Sequence, residues 1–440
     1  FYFMKNRFQI IFIFISLITC SSNIYSQPGF LDPTFGNEGI VVESRLGYPV
    51  GLANLSDGKI LVPGGLSGPY FYMDRFNPDG SNDQGFGVDG RLILNLENRY
   101  SVCYCMALQQ DGKIILVGNI VSSSPYRDIA IVRCMPDGTL DSSFGFNGLT
   151  TVNLSNYDYA YDVAIQPDGK IVIIGNFTKN LDYNYDSYIL RVNIDGSLDQ
   201  SFGNMGITKV HYSLYSRNRA LSIQPDGKLL MGGTYGKIEA QPDFMVERFN
   251  TNGTVDNSFG ENGTAKFNFG EGQQGNWDTD LYDMALQSDS KIVCAGQSGR
   301  QLTSMALCRF NTDGTIDYSF GENGSEIAVY KNEESGIENI YIQADNKILA
   351  SGGTDHCLFL LSRFENTGSL DLGFGENGIQ ATKISGCPNG RYVIQLPDQK
   401  LLVTGYNFNI FLARYNGDNV LAANFKEVKA IQENEAITIT

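Results

Sequence analysis

The sequence predicts an all-β fold, a seven-bladed β-propeller of four-stranded blades whose ring is closed by the N-terminal strand. Two turn motifs recur along the chain, the first at intervals of 53 to 63 residues. Four short strands fit between successive copies, which is the length of a propeller blade. No segment of the sequence has the apolar periodicity of a helix.

The first motif is a tight turn that ends in lysine, with Pro-Asp-Gly-Lys at 167–170 as its clearest copy. Its glycine is free to adopt the positive φ that such a turn requires. Ser290, Asn346 and Gln399 replace this glycine in the last three copies, where we expect relaxed turns. The seven lysines, which number the repeats from one to seven, are Lys59, Lys113, Lys170, Lys228, Lys291, Lys347 and Lys400.

The second motif begins with arginine and continues to an aspartate and a Phe-Gly pair, as in Arg309 to Gly324. Seven arginines begin a copy, but only six copies are completed downstream; the seventh Asp and Phe-Gly stand near the N-terminus, at Asp32 and Phe35. A ring whose last repeat is completed by the N-terminus has this arrangement and leaves no free sheet edge. We therefore predict that residues 36–44 form the outer strand of the last blade. The arginines are Arg75, Arg133, Arg191, Arg248, Arg309, Arg363 and Arg414, and the downstream aspartates are Asp83, Asp141, Asp199, Asp256, Asp317 and Asp371.

The arginine and aspartate of each repeat have two interpretations. They are either a ring of binding sites or structural ion pairs that fasten the third strand to the following turn, and we favour ion pairs because ordered turns need Asp in this role.

Within repeat three, alternation of apolar residues predicts strands at 161–166, 170–175, 187–193 and 206–212. The predicted propeller spans residues 27–416.

The paired motifs resemble the delta-60 repeat family of β-propellers. The resemblance covers Gly29 to Asn416, with Asn82 in place of the usual leucine. It implies the propeller fold and export from the cell, and it implies no general activity.

The first 26 residues have the features of a signal peptide. Lys5 and Arg7 form a basic start, and residues 10–18 are an apolar stretch too short to cross a membrane. We expect a secreted or cell-surface protein with no transmembrane segment. A rival interpretation makes Cys20 a lipoprotein acylation site, although Thr19 fits poorly before such a cysteine.

Residues 417–440 lack both motifs and end in alternating Ala-Ile-Thr-Ile-Thr. This pattern predicts a linker and the start of a truncated C-terminal module. A sorting domain for type IX secretion fits that position.

Composition and charge exclude several classes of partner. The net charge of −16 argues against nucleic acid and anionic membranes, which bind basic surfaces. We expect a monomer whose ligand is a glycan or a protein.

The cysteines and possible metal ligands form no strong signature. The eight cysteines do not recur at one repeat position, so we expect buried free thiols, with a Cys294–Cys308 cross-strand pair as the alternative. Cys103 and Cys105 lie two apart on a predicted strand and are expected to face the core on one side. Residues 311–317 faintly resemble a calcium loop, but ordinary Asx turns explain their oxygens better. We predict no cofactor, no metal and no catalytic residue.

The best candidate site is the face where repeats differ. Turns inside the two motifs are nearly identical and define one face of the propeller, the motif face. The loops between the second and third strands, and between one repeat and the next, vary in length and content and define the other, the variable face. Loops on a rigid scaffold often carry function, and aromatic rings beside carboxylates suit sugar or peptide binding. The candidate ligand-binding residues are Tyr126, Arg127, Tyr157, Asp158, Tyr159, Tyr183, Tyr185, Trp277, Asp278, Asp280 and His356.

Three functions remain open on the sequence. The leading hypothesis is a non-catalytic extracellular binding or adhesion module that uses the variable face. The second is a secreted carbohydrate-active enzyme with carboxylates at the central channel. The third is a structural scaffold for a missing C-terminal partner.

Overall fold

The computed structural model describes residues 27–65, 70–123, 125–179, 185–212, 215–237, 240–270, 278–300, 302–386, 389–407, 409–418, 431–433 and 436–438. The predicted signal peptide and Cys20 lie outside these ranges. Within them, the regular secondary structure is β-strand throughout. The all-β expectation is therefore confirmed.

The strands follow the repeats in order. The N-terminal strand β1 spans Ile40–Leu46, and repeat one contains β2 (Tyr48–Pro49), β3 (Ala53–Asn54), β4 (Ile60–Gly65), β5 (Phe71–Phe76) and β6 (Arg91–Leu94). Repeat two contains β7 (Ser101–Leu108), β8 (Ile114–Ser123), β9 (Tyr126–Cys134) and β10 (Leu149–Val152). Repeat three contains β11 (Tyr157–Ile165), β12 (Ile171–Thr178), β13 (Asp186–Val192) and β14 (Ile207–Val210). Repeat four contains β15 (Tyr215–Ile223), β16 (Leu229–Lys237), β17 (Ala240–Phe249) and β18 (Thr264–Phe267).

The remaining repeats keep the same order. Repeat five contains β19 (Asp278–Leu286), β20 (Ile292–Gly299), β21 (Ser304–Phe310) and β22 (Ser325–Ala328). Repeat six contains β23 (Ser335–Ile342), β24 (Ile348–Thr354), β25 (Phe359–Phe364) and β26 (Ile379–Thr382). Repeat seven contains β27 (Asn389–Gln395), β28 (Leu401–Asn407) and β29 (Asn409–Tyr415), and the tail contributes β30 (Ile431–Glu433) and β31 (Ala436–Thr438).

The strands of each repeat pair antiparallel in chain order. Repeats two and three share one sheet, because a single parallel pair, Tyr157 with Arg127, joins β11 to β9. In repeat seven the fourth position is taken by β1, whose Ile40 pairs with Ala413 of β29. The first strands of neighbouring repeats contact one another, so we call them inner strands.

The predicted strand bounds need correction at their ends. The inner strand of repeat three begins at Tyr157, four residues before the predicted start, because its alternation of buried and half-buried residues continues that far. The N-terminal strand begins at Ile40 and not at residue 36. Gly36, Glu38 and Gly39 all have positive φ, so residues 36–39 form a turn before the strand begins.

Each repeat is fastened by one aspartate that binds a lysine and an arginine together. The Asp Oδ2 accepts a hydrogen bond from the arginine Nε at 2.6–2.8 Å and contacts the lysine Nζ, while its Oδ1 accepts from the backbone N–H two residues later. The structural ion pairs predicted from the sequence are therefore confirmed, and the lysine of the first motif is a third member. The trios are Lys59–Asp83–Arg75, Lys113–Asp141–Arg133, Lys170–Asp199–Arg191, Lys228–Asp256–Arg248, Lys291–Asp317–Arg309, Lys347–Asp371–Arg363 and Lys400–Asp32–Arg414.

The same arginines link each repeat to the next. Arg191 donates from Nη1 to the carbonyl of Thr251 at 2.6 Å, and Arg248 donates to the carbonyl of Thr312 at 2.6 Å. Every trio arginine also lies 4.1–4.7 Å from the ring centre of the Phe in its Phe-Gly pair. Each trio therefore connects the first motif turn, the third strand and the following turn of one repeat, and its arginine connects them to a motif turn of the next repeat.

The seventh trio combines Asp32 of the N-terminal segment with Lys400 and Arg414 of repeat seven. Asp32 is 2% exposed and accepts hydrogen bonds from Lys400 and Arg414, while Arg414 Nη1 reaches the carbonyl of Pro78 in repeat one at 2.6 Å. We call the contact between repeat seven and repeat one the seam. One hydrophobic cluster spans it and contains Phe35, Leu52, Ile60, Val62, Tyr72 and Phe76 together with Leu396, Leu402, Ile410 and Leu412. The N-terminal segment therefore packs as part of the last repeat and also against the first.

A β-bulge interrupts six inner strands at the same place. In β7 the bulged residue is Tyr104, since Cys103 pairs with Gly118 and Cys105 pairs with Val117. A bulge reverses the alternation of side chains. Cys103 accordingly packs in the cluster with repeat one and Cys105 in the cluster with repeat three, so the expectation that they face one side is wrong.

The described cysteines are mostly buried thiols, as expected. Cys103, Cys105, Cys134, Cys294 and Cys308 are free, although Cys294 and Cys308 lie opposite each other on β20 and β21. Cys357 differs, because it is disulfide-bonded, which the repeat pattern did not indicate. Cys387 lies outside the described residues.

The Asx-turn interpretation of residues 311–317 agrees with the contacts of these side chains. Asp313 Oδ1 accepts from the backbone N–H of Thr315 at 2.9 Å, and Asp317 is held by Lys291 and Arg309. The described part of the chain contains no helix with the length and apolar character that a membrane crossing needs.

Replacing Asp32 with Asn tests the seam. The substitution leaves two cations facing a neutral group at a buried position, and we expect a loss of about 3 kcal/mol in the free energy of unfolding. Asp256→Asn in repeat four should cost about as much, while Asp226→Asn, in an exposed turn, should cost under about 1 kcal/mol. Urea denaturation measures the free energy of unfolding of all three variants. An Asp32→Asn variant as stable as the Asp226→Asn variant would contradict the claim that the Asp32 trio stabilises the seam.

The trios also predict acid sensitivity. Burial raises the pKa of Asp32, but hydrogen bonds from Lys400 and Thr34 and the charge of Arg414 outweigh it and lower the pKa to about 2. Because the folded pKa lies below the unfolded value of 3.8, this stability is fully present above pH 4 and is lost as the pH falls towards 2. Thermal unfolding at pH 5, 4, 3 and 2 should show the steepest loss below pH 4, and an unchanged melting temperature at pH 3 would refute this.

Candidate functional site

The loops between strands two and three and the connections between repeats meet on the variable face. The N–H of Arg127, on the β8–β9 hairpin of repeat two, donates to the carbonyl of Asn156 in the next connection at 3.0 Å. The N–H of Ser335 donates to the carbonyl of Thr303 at 2.9 Å in the same way between repeats five and six. The loops assigned to one face from the sequence therefore do contact one another.

A cavity of about 320 Å³ lies between repeats two and three on this face. We call it the cleft. Hydroxyl, amide and tyrosine side chains line it, together with one leucine and one lysine. The lining residues are Ser122, Ser123, Tyr126, Asn153, Leu154, Ser155, Asn156 and Lys179. The volume is at the lower end of the range for small-ligand sites.

Tyrosines predicted as ligand residues pack in pairs, and one of them, Tyr126, lines the cleft. The rings of Tyr126 and Tyr157 meet edge to face with centroids 6.1 Å apart, and those of Tyr159 and Tyr185 meet in the same way at 6.2 Å. Tyr126 is 41% exposed at the cleft wall. The sequence placed Tyr157 and Tyr159 in a loop, but both lie on the inner strand β11, because the strand extends further than its apolar residues indicate.

Asp158 is buried and binds the backbone of two residues that line the cleft. Its side chain is fully buried, and Oδ2 accepts from the backbone N–H groups of Leu154 and Ser155 at 2.8 and 3.4 Å. Burial raises its pKa to about 7. Asp158 was predicted to lie in an exposed loop; it lies instead on β11 and orders the connection that forms the cleft wall.

Lys179 is the one charged side chain among the described residues that line the cleft. Lys209 donates from Nζ to the carbonyl of Leu154 at 3.1 Å. The nearby carboxylate of Asp128 accepts from Asn153 Nδ2 at 2.7 Å, and no carboxylate is among the described residues that line the cleft. Arg127, also predicted, lies with its guanidinium 6.0 Å from the ring centre of Tyr100.

The other predicted residues lie in other repeats. Asp278 and Asp280 are on β19 of repeat five, where Asp280 Oδ1 accepts from Thr234 Oγ1 at 3.1 Å. Burial and then the charge of Asp280 raise the pKa of Asp278. His356 is on the β24–β25 turn of repeat six, with its side chain 68% exposed. Tyr183 and Trp277 lie outside the described residues.

A pair of carboxylates lies on the inner strands directly after the bulge. Burial, and then the charge of Asp283, raise the pKa of Asp162 to about 7, and burial raises the pKa of Asp283 to about 6. Asp162 accepts from the N–H of Leu221 in repeat four at 2.7 Å, and Asp283 accepts from the N–H of Ile340 in repeat six at 2.8 Å. Both carboxylates therefore join neighbouring repeats.

These residues were missed by the sequence analysis for identifiable reasons. Asp162 and Asp283 occupy the same repeat position, directly after the bulge, and an alignment of the inner strands would have found them. The wall residues Asn153 to Asn156 have the composition of any polar turn. Only the pairing of β9 with β11 brings that turn against the hairpin of repeat two.

Four segments of the chain, residues 109–144, 166–202, 224–259 and 287–320, match a family described as a domain of unknown function (DUF5122) β-propeller. They follow the two motifs through repeats two to five and cover less than half of the chain. No curated protein matches the sequence.

Three solved structures are similar to this chain at low sequence identity. Drosophila Semaphorin 2a is 8% identical with a TM-score of 0.53, over 89% of this chain and 76% of that chain. YCF48 bound to D1 peptide is 10% identical with a TM-score of 0.48, over 90% and 99% of the two chains, and polysaccharide lyase Uly1 is 9% identical with a TM-score of 0.47, over 91% and 94%. Together with the repeated four-stranded sheets and the family match, the likeness to Semaphorin 2a identifies the chain as a β-propeller repeat protein.

Proposed function

We propose that this protein is a secreted, non-catalytic binding module that holds a glycan in the cleft between repeats two and three of a closed, seven-bladed ring. The observation that carries the proposal is that Tyr126 lines a cavity walled by hydroxyl and amide groups and packs against Tyr157 of the next repeat. Tyrosine rings pack against the C–H faces of sugars, and amides and hydroxyls exchange hydrogen bonds with sugar hydroxyls.

Contacts at the seam support the closed ring of seven blades. Tyr48 of repeat one and Tyr406 of repeat seven meet edge to face with ring centroids 4.5 Å apart, and the Asp32 trio and its hydrophobic cluster lie along the same seam. Closure makes the inner strands a rigid support for the loops of the variable face.

The local charge favours a glycan with an acidic substituent. Lys179 is exposed in the cleft, and the described lining contains no carboxylate that would oppose an anion. A sugar carboxylate or sulfate would form a charge-assisted hydrogen bond with the lysine ammonium. A protein ligand is the alternative occupant.

Secretion stays a prediction, as do monomeric state, a type IX sorting module at the C-terminus and the scaffold alternative. The disulfide at Cys357 supports an oxidising compartment, because cytosolic thiols are kept reduced.

A glycan array with neutral and acidic sugars tests the cleft. Tyr126→Ala should weaken binding at least about tenfold, since it removes the exposed ring at the cleft wall, and Lys179→Gln should weaken acidic glycans alone. Tyr318→Ala, which removes a tyrosine that is 71% exposed in a motif turn, is the matched control and should bind as the wild type does. Equal loss in the Tyr126 and Tyr318 variants would contradict the site, and a silent array would favour a protein ligand.

The carboxylates of the inner strands do not favour the enzyme alternative. A catalytic pair needs oxygens that face a substrate. Both oxygens of Asp162 accept backbone N–H bonds, from Val163 at 2.8 Å and Leu221 at 2.7 Å. Asn339 occupies the same repeat position and makes the same bond, to the N–H of Val393 at 2.9 Å, so this position does not require an acid.

Asp162→Asn separates the structural role from a catalytic one. The folded pKa of Asp162 is about 7, above the unfolded value of 3.8, so its contribution to stability is present below pH 4 and declines as the pH rises towards 7. The amide variant should fold and should lose this part of the pH dependence. Urea denaturation at pH 5 and pH 8 measures it; an Asn variant that keeps the wild-type difference would show that Asp162 is not the titrating group.

A further inference from the structure

We propose that the variable face of repeat six binds a divalent transition-metal ion through Glu333, Asp355 and His356. The three side chains come from two turns, one before β23 and one between β24 and β25. Their candidate ligand atoms all lie within 4.8 Å of one another. This site is separate from the cleft and does not depend on the glycan proposal.

The distances fit one ion. His356 Nδ1 lies 2.9 Å from Asp355 Oδ1 and 3.7 Å from Glu333 Oε2. Ligand atoms bound at about 2.1 Å to a tetrahedral ion lie about 3.4 Å apart. The two separations from His356 Nδ1 lie on either side of this value.

Glu333 gives a second reason to place a cation here. Its side chain is 23% exposed, but the Oε2 atom itself is shielded from solvent and accepts no hydrogen bond from the described residues. A buried carboxylate oxygen without a donor is costly, and such groups usually have a partner. A metal ion bound by His356 and Asp355 would supply that partner.

The backbone holds the two turns together. The N–H of Asp355 donates to the carbonyl of Glu334 at 3.2 Å and so links the turn after β24 to the segment before β23. The N–H of Cys357 donates to the carbonyl of Thr354 at 3.3 Å, and Cys357 has a φ of 66° and a disulfide bond. The ligands are thus presented by a braced turn, which reduces the entropy lost when an ion binds.

The ligand set selects the class of ion. One imidazole nitrogen with two carboxylates suits zinc and related transition metals, whereas calcium and magnesium prefer all-oxygen sites. Three protein ligands leave at least one coordination position for water or for a ligand atom from a partner.

The second histidine is a matched control. His211 Nδ1 lies 2.7 Å from Asp186 Oδ2, and its side chain is 72% exposed, much as His356 is. In the described part of the chain no third metal ligand completes this pair.

Isothermal titration of the full chain with zinc chloride tests the proposal. We expect one high-affinity zinc ion per chain, at least about tenfold weaker binding in His356→Ala and in Glu333→Gln, no change in His211→Ala, and no comparable binding of calcium. Melting temperatures measured without metal confirm that each variant is folded. Absence of zinc binding by the wild type, retention in both site variants, or equal loss in His211→Ala would overturn the assignment.

Discussion

The aspartate that each repeat shares between a lysine and an arginine is the interaction on which the fold depends. It connects the first motif turn to the third strand and the following turn. The arginine then binds the next repeat: Arg191 contacts the carbonyl of Thr251, and Arg363 contacts the carboxylate of Asp418. Substitution of one member of a largely buried trio leaves the charges of the other members unpaired. A single substitution in a trio is therefore expected to be destabilising. The motif face is accordingly uniform, and the loops on the opposite face are free to differ.

Repetition made this part of the fold predictable. The last repeat lacks the second half of its arginine motif, and the N-terminal segment carries an additional copy of that half at Asp32 and Phe35. This indicated that the N-terminal segment supplies the fourth strand of the last repeat. The bulge was not predictable from the alternation of apolar residues. One extra residue leaves the composition of the strand unchanged, but every side chain after it points to the opposite side of the sheet. Cys103 and Cys105 were misassigned for that reason.

The candidate sites were only partly predictable. The variable loops led to Tyr126 and His356 as candidates, which stay predictions. The sequence could not show that Tyr126 contacts Tyr157 of the next repeat, nor that Asp158 is buried. Nothing in the local sequence marks Glu333 as a neighbour of His356. Such relations arise from the register between repeats, which motif counting does not reach.

The most direct test of the account is a double-mutant cycle on Asp32 and Arg414, with Asp256 and Arg248 measured in parallel by urea denaturation. If the same trio closes the seam and fastens each repeat, both cycles should give coupling energies of similar size, within the range of about 0.5 to 3 kcal/mol found for contacting residues. Coupling at Asp256 and Arg248 with none at Asp32 and Arg414 would mean that the N-terminal segment does not hold the two ends of the repeat array together.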